Sequence, residues 1–419
     1  MYAFKINGGK PLNGTVEIKG AKNAVLPIMA AALLTDQTVT LKNVSPLSDV
    51  YILTQLLKSF GTTVQTTQET MAITADHITN TIAIYDFVSK MRASFWVLGP
   101  LLARFGKATV SLPGGCTIGA RPVDIYLKAL EEMGAKIKIE NGYVVAHGPL
   151  HAANIFFRRV SVGATHNTLM AAVLTPGTTI IHNAAMEPEV LDLIEALKKM
   201  GANIHWKEPK VLSVTGVNRL AGATHTVVSD RIETASFIVA TAVTKGHVFI
   251  KGGRLDLIEA ITNVLKKSNI IFTPHNDGFD VDATRATLTA APVTTSEYPG
   301  FPTDAQALIT TLFSIANGES ITTENLFENR LMHIPELQRM GANIQILNNQ
   351  SVLIKGVPTL SGTTVMASDL RGGVALVLAG LAAKGETIVK RIYHIDRGYY
   401  QLEEKLKALG ADIERIKMT

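Results

Sequence analysis

One cysteine, Cys116, occurs in 419 residues. A lone cysteine excludes an internal disulfide and fits a reducing compartment, so a cytoplasmic location is expected. Aromatic residues make up only 6% of the chain, and no block of five or six basic residues occurs, although Lys+Arg exceed Asp+Glu by 40 to 35. A nucleic-acid-binding surface would need a basic stripe with interleaved stacking rings, so no nucleic acid is expected as a partner. The modest positive balance and its scattered single cations suit small anions better. Long hydrophobic runs are also missing. Residues 24–34 form one of the longer ones, well short of the roughly 20 residues that cross a bilayer, so no membrane partner is expected. Residues 1–14 alternate polar and apolar types without the apolar core of a signal peptide. With a single cysteine, cysteine–histidine ligand sets do not arise, and the 11 histidines point to no metal and no cofactor. The pairs Gly252-Gly253 and Gly372-Gly373 lack the context of a nucleotide fingerprint.

What is present begins with the setting of that cysteine. The run Pro113-Gly114-Gly115-Cys116-Thr117-Ile118-Gly119-Ala120-Arg121-Pro122 surrounds a thiol with three glycines, two prolines and an arginine. A core cysteine usually sits in an apolar run, whereas these neighbours mark an exposed turn. Two readings stand. The residue is an inert loop cysteine, or it is a reactive thiol whose pKa is lowered by glycine-freed backbone N–H groups and a guanidinium.

The second strong signal is repetition. Met133-Gly134-Ala135-Lys136-Ile137 returns as Met200-Gly201-Ala202-Asn203-Ile204, Met340-Gly341-Ala342-Asn343-Ile344 and Leu409-Gly410-Ala411-Asp412-Ile413, with weaker copies at Gly61 and Ser268-Asn269. The spacing is roughly 70 residues, so six units account for the chain. Each reads as an Ala/Leu-rich helix, a strand, a second helix and further strands, with the glycine closing the second helix. Mixed helices and short strands predict an α/β (α+β) fold with several sheets rather than one long parallel sheet. The first helices begin near Lys22, Arg92, Ala164, Arg231, Asp304 and Arg371. Four cations at the end of a helix that favours anions are locally unfavourable, and they are either solvated surface charge or parts of an anion-binding site.

Gly20-Ala21-Lys22-Asn23-Ala24, Arg92-Ala93-Ser94, the 113–122 loop, Ser161-Val162-Gly163-Ala164-Thr165, Phe301-Pro302-Thr303-Asp304, Phe327-Glu328-Asn329-Arg330, Ala367-Ser368-Asp369-Leu370-Arg371 and His394-Ile395-Asp396-Arg397-Gly398 together resemble the bacterial UDP-N-acetylglucosamine enolpyruvyl transferases of the EPSP synthase superfamily. The resemblance runs from end to end. It implies a two-domain inside-out α/β barrel with three units per domain, residues 22–229 forming one domain, residues 1–21 with 230–419 the other, and the site in the cleft between them. It also implies a transferase that moves the enolpyruvyl group of phosphoenolpyruvate to the 3′-hydroxyl of UDP-N-acetylglucosamine. That reaction is the first committed step of peptidoglycan synthesis, on which cell shape and division depend, and the target of fosfomycin.

Residue by residue, the resemblance implies that Lys22, Asn23, Arg121, Arg371 and Arg397 bind phosphoenolpyruvate. Cationic forks suit its carboxylate and phosphate. Lys22 also reads as an exposed helix-start lysine, and Arg397 as a surface partner of Asp396. Cys116 matches the family's general acid and adduct-forming thiol, with Lys22, Asp304, Asp369 and Arg397 as the other catalytic positions. Asp304 and Asp369 each precede a helix, so capping competes with a catalytic role at both. The UDP-sugar is assigned to Asn23, Arg92, Arg121, Pro122, Val123, Asp124, Ile125, Arg159, Val160, Ser161, Val162, Gly163, Asp304 and Leu326. Tyr126 and Arg159 depart from residues common in the family. Asp230-Arg231-Ile232-Glu233 reads mainly as a capping box. Two rival readings are a shikimate-pathway enolpyruvyl transferase and a non-catalytic paralogue that binds UDP-sugar.

Overall fold

In the computed structural model, which describes residues 2–112 and 123–418, the repeat is built from an inner helix, a strand, an outer helix, a β-hairpin and a short strand. The inner helices are α1 (Lys22–Ala31), α2 (Leu98–Phe105), α3 (Val162–Ala172), α4 (Arg231–Val243), α5 (Gln306–Phe313) and α6 (Leu370–Ala382). All of α4 and α5 is buried, and so is α3 from Gly163 onward. A helix apolar on every side belongs inside a fold, and its hydroxyl residues must find partners there. Several bond back along their own helices: Ser236 Oγ donates to Ile232 O at 2.8 Å, and Thr241 Oγ1 to Phe237 O at 2.7 Å, whereas Thr311 Oγ1 reaches Ala375 O of α6 at 3.2 Å.

The strands follow the period-two rule of a half-buried sheet. Thr178–His182 and Glu386–Lys390, for example, bury every second residue while the alternate side chains face outward. The described residues form six four-stranded sheets, each with three antiparallel strands and one short parallel strand at an edge. That edge strand is always borrowed. Ile82–Ala83 follows the first hairpin and joins the second sheet, Asn154–Phe156 follows the second and joins the third, and Thr224–Thr226 follows the third and returns to Val39–Lys42 of the first. Three sheets are thus linked in a ring.

The other ring closes differently. Val293–Thr294 and Thr364–Met366 are handed on as before, but the final hairpin has only one limb, Asp412–Lys417. Its missing limb is Tyr2–Asn7, which lies between Asp412–Lys417 and Glu386–Lys390, and the next strand, Asn13–Glu17, passes to His247–Lys251. The chain's first residues therefore complete the half that contains its last ones. Residues 20–112 with 123–228 form one compact unit, and residues 2–19 with 229–418 the other. Each has its own apolar core.

The repeated glycines end the outer helices in the left-handed conformation: φ is +104° at Gly61, +94° at Gly134, +100° at Gly201, +90° at Gly341 and +97° at Gly410. At Gly134 the paired bonds that define this closure are Gly134 N to Glu131 O at 2.8 Å and Ala135 N to Leu130 O at 2.9 Å. In the weakest copy the left-handed residue is Asn269, at φ +57°, and not Ser268. Asparagine is the residue after glycine that best tolerates this region.

Candidate active site

Cys116, Arg121 and Pro122 lie outside the described residues. Every other candidate site residue lies in one of the two units, and a hydrogen bond joins Asp304 to Arg371 in the second.

In the unit of residues 229–418, Asp304 sits in a 3-10 turn, Thr303–Ala305, that leads into α5. The capping explanation fails for it, because its carboxylate is gripped by two guanidinium groups. Arg330 Nη2 donates to Oδ1 at 2.6 Å and Arg371 Nη2 to Oδ2 at 2.8 Å. Both arginines are only 5% exposed at the side chain, against 23% for Asp304. Burial alone would raise the Asp304 pKa, but the charges and hydrogen bonds of Arg371 and Arg330 outweigh it and hold the carboxyl well below the usual range.

The arginines are themselves held. Arg371 Nη1 donates to the buried Tyr399 hydroxyl at 3.2 Å, which lies 2.6 Å from Ser236 Oγ. Burial pushes the Tyr399 pKa up to about 12 against the pull of Arg371 and Ser236, so this group stays a neutral phenol. Arg330 lies over the Phe327 ring and donates from Nη1 to Thr303 Oγ1 at 3.3 Å.

Asp369 does cap its helix. Its Oδ1 accepts from Arg371 N at 2.9 Å and Gly372 N at 3.1 Å, while Ser368 Oγ donates to Oδ2 at 3.0 Å. The cap also sets the start of α6, where Arg371 leaves the backbone toward Asp304. Arg397, half-buried, ends the 3-10 turn Ile392–Arg397. Its neighbour Asp396 takes a two-pronged hydrogen bond from Arg415, at 3.0 and 2.7 Å. Burial, then the positive charge of Arg397, lowers the pKa of His394, with Asp369 opposing. Leu326 is half-buried and its N–H donates to Glu324 Oε1 at 2.8 Å.

In the unit of residues 20–228, Lys22 is the first residue of α1 and is not a freely solvated lysine: its side chain is 13% exposed and lies 3.3 Å from the carboxylate of Asp49, itself 2% exposed. The buried carboxylate offsets the unfavourable cation at the helix start, as Asp304 does for Arg371. Asn23 follows, half-buried, and Arg92 opens the 3-10 turn Arg92–Val97. Val123 and Asp124 begin the helix Asp124–Glu132, whose Ile125 is buried, and Arg158 donates a charge-assisted hydrogen bond to Asp124. Arg159 is exposed, while Val160, Ser161 and Val162 are half-buried ahead of buried Gly163. Ser161 Oγ caps α3 by accepting from Ala164 N at 3.3 Å. A Cβ at Gly163 would fall 1.8 Å from the hydroxyl of Tyr126, so a larger residue there requires that ring to move. The capping reading of Asp230 also holds, with Oδ1 accepting from Ile232 N and Glu233 N, whereas the Glu233 carboxylate takes Lys405 Nζ at 2.7 Å.

Sequence reasoning missed several of these groups. Asp49 looks like an ordinary acidic first-turn residue, Arg330 and Thr303 surfaced only inside quoted motifs, and Tyr399, Ser236 and Glu324 carried no signal at all. No group of His, Cys, Asp or Glu among the described residues has the arrangement of a metal site. No described helix is long and apolar enough to cross a membrane.

Two closed rings of three sheets around buried helices define the enolpyruvyl transferase class of fold. The enolpyruvyl transferase NikO from Streptomyces tendae superposes with a TM-score of 0.89 over 99% of this chain and 98% of its own, at 22% identity. EPSP synthase from Acinetobacter baumannii gives 0.80 over the whole of both chains at 17% identity. The sequence profile described as EPSP synthase (3-phosphoshikimate 1-carboxyvinyltransferase) matches residues 6–406, and the chain belongs to that family. Among its relatives are proteins named UDP-N-acetylglucosamine 1-carboxyvinyltransferase. That of Paramagnetospirillum magneticum is 50% identical over 100% of this chain and 99% of its own length, and that of Azorhizobium caulinodans is 50% identical over 99% and 100%.

Proposed function

We infer that this chain transfers the enolpyruvyl group of phosphoenolpyruvate to the 3′-hydroxyl of UDP-N-acetylglucosamine and releases phosphate, the reaction that commits a cell to peptidoglycan synthesis. The observation that carries the reading is the full-length 50% identity to proteins named for this activity, and the Asp304 cluster supplies groups the chemistry needs.

In the proposed mechanism Cys116 gives a proton to C3 of the enol, which leaves positive character on C2. The acceptor hydroxyl adds to C2 and its proton passes to Asp304, giving a tetrahedral intermediate. The Cys116 thiolate then takes a proton back from C3 while phosphate leaves C2 with the proton held by Asp304, which regenerates the double bond in the product and both side chains. A carboxylate clamped by two arginines is a weak base, and a weak base suffices here. The hydroxyl becomes strongly acidic only as its C–O bond forms, so proton transfer is needed late in the step. Lys22, Arg121, Arg371 and Arg397 supply the cationic cradle for phosphoenolpyruvate and Asn23 a neutral amide, with Asp369 fixing the start of α6 beneath Arg371. Arg92, Pro122, Val123, Asp124, Ile125, Arg159, Val160, Ser161, Val162, Gly163 and Leu326 take the UDP-sugar. The N–H groups at the start of α3 suit its diphosphate.

The name of the matching family profile favours a second reading, with a phosphorylated shikimate as acceptor. One assay separates the two: phosphate release with phosphoenolpyruvate and either acceptor. Turnover is expected with UDP-N-acetylglucosamine alone, inhibition by fosfomycin, loss of activity in Cys116→Ala, and activity with drug resistance in Cys116→Asp. Turnover with the shikimate acceptor alone sinks the assignment.

A further inference from the structure

Glu324 is completely buried, and the proposed mechanism does not use it. Its carboxylate accepts four hydrogen bonds, all from neutral donors: Thr295 Oγ1 at 3.0 Å, Leu326 N at 2.8 Å and Phe327 N at 3.1 Å reach Oε1, and Thr303 Oγ1 reaches Oε2 at 2.7 Å. A buried carboxylate facing neutral donors is a costly way to close a turn that Ser, Asn or Thr could close uncharged. Its partners suggest what the charge is for. Thr303 precedes Asp304, and its single hydroxyl proton is committed to Glu324, which leaves its lone pairs free to accept from Arg330 Nη1 at 3.3 Å. The other prong of the same guanidinium, Nη2, holds Asp304 at 2.6 Å. The fork of Arg330 is therefore set by two adjacent residues, and one of them is oriented by Glu324.

We propose that Glu324 is a positioning residue for the acceptor half of the reaction: it fixes the Thr303 hydroxyl as an acceptor, which seats the Arg330 fork on Asp304, and it holds the Leu326–Phe327 turn with its other oxygen. The proposal rests on the reading that Asp304 and Leu326 serve the sugar. In Glu324→Gln the amide can offer Thr303 a donor in place of an acceptor. The Thr303 proton then loses its partner and the fork loosens.

The test measures kcat and KM for each substrate, and the pH profile of kcat/KM for UDP-N-acetylglucosamine, in the full-length protein. Glu324→Gln and Thr303→Val are each expected to lower that kcat/KM at least tenfold, to leave KM for phosphoenolpyruvate within twofold, and to move the acid limb of the profile to higher pH. Thr303→Ser, which keeps the hydroxyl, should stay within twofold of the parent. The double variant Glu324→Gln/Thr303→Val should be no more than twofold worse than either single one, since both break the same link. If Glu324→Gln fails to fold, Thr303→Val decides. A Thr303→Val enzyme within twofold of the parent, or one whose KM for phosphoenolpyruvate rises as much as its KM for UDP-N-acetylglucosamine, overturns the proposal. Asp304→Asn serves as the control: near-parental turnover there would overturn the underlying assignment of the base, whereas an inactive Asp304→Asn beside a silent Thr303→Val would reject the role of Glu324 alone.

Discussion

His166 and His333 are buried inside the two cores, at 0% and 1% exposure, and burial lowers their pKa values to about 3 and about 4. Both stay neutral in the folded protein near pH 6, where an unfolded histidine is already mostly protonated. The unfolded chain therefore binds more protons between pH 6.5 and the two folded values, so stability must fall as pH drops through that window, by up to about 1.4 kcal/mol per unit for each histidine. Urea unfolding between pH 7.5 and 5 should show this slope, and His166→Gln should be flatter than the parent by about one proton's worth. An unchanged slope would show that His166 is not held neutral. The same scale explains why Asp304 was ambiguous in the sequence. A helix cap and a catalytic carboxylate ask for the same residue type at the same place, and the arginines that decide the matter lie 26 and 67 residues away. Lys22 was equally undecided, because its buried partner Asp49 looks like any first-turn acid.

Among the elements, the outer-helix closures were the most legible. The Gly-Ala pair that closes four of the six outer helices reports a local requirement, a left-handed residue followed by a return to a strand, and local requirements are written locally. Gly201 isolates this effect, since a Cβ there would meet nothing within 4 Å and only its φ of +100° resists a side chain. Gly201→Ala is expected to cost about 1–2 kcal/mol in urea unfolding, and Gly201→Asn less. Equal stability of all three would mean that the turn is not strained. Gly163 is the contrasting case. Its constraint comes from Tyr126, on a different helix, so nothing in its own neighbourhood announces it. Gly163→Ala should lower thermal stability, and pairing it with Tyr126→Leu should recover part of the loss.

For the whole molecule, residues 2–17 matter more than their length suggests. Tyr2–Asn7 is the third strand of one sheet and Asn13–Glu17 the edge of another, so the half that begins at residue 229 has two sheets incomplete without them. A chain starting at residue 18 is expected to lose protease resistance within residues 229–418 while residues 20–112 and 123–228, whose ring closes on itself through Thr224–Thr226, remain resistant. Equal resistance of both halves in limited proteolysis would contradict this account.

By itself the sequence determined the six-fold repetition, the pairing of an Ala/Leu-rich helix with a second helix in each unit, the glycine closures and, through its motifs, the family. Each depends on periodicity or on residues close together in the chain. Only the tertiary structure decided which carboxylates cap and which are clamped, that Glu324 and Thr303 stand behind Arg330, and that the two ends of the chain share a sheet. Those outcomes rest on contacts between residues far apart in sequence, which exist only once the rings have closed.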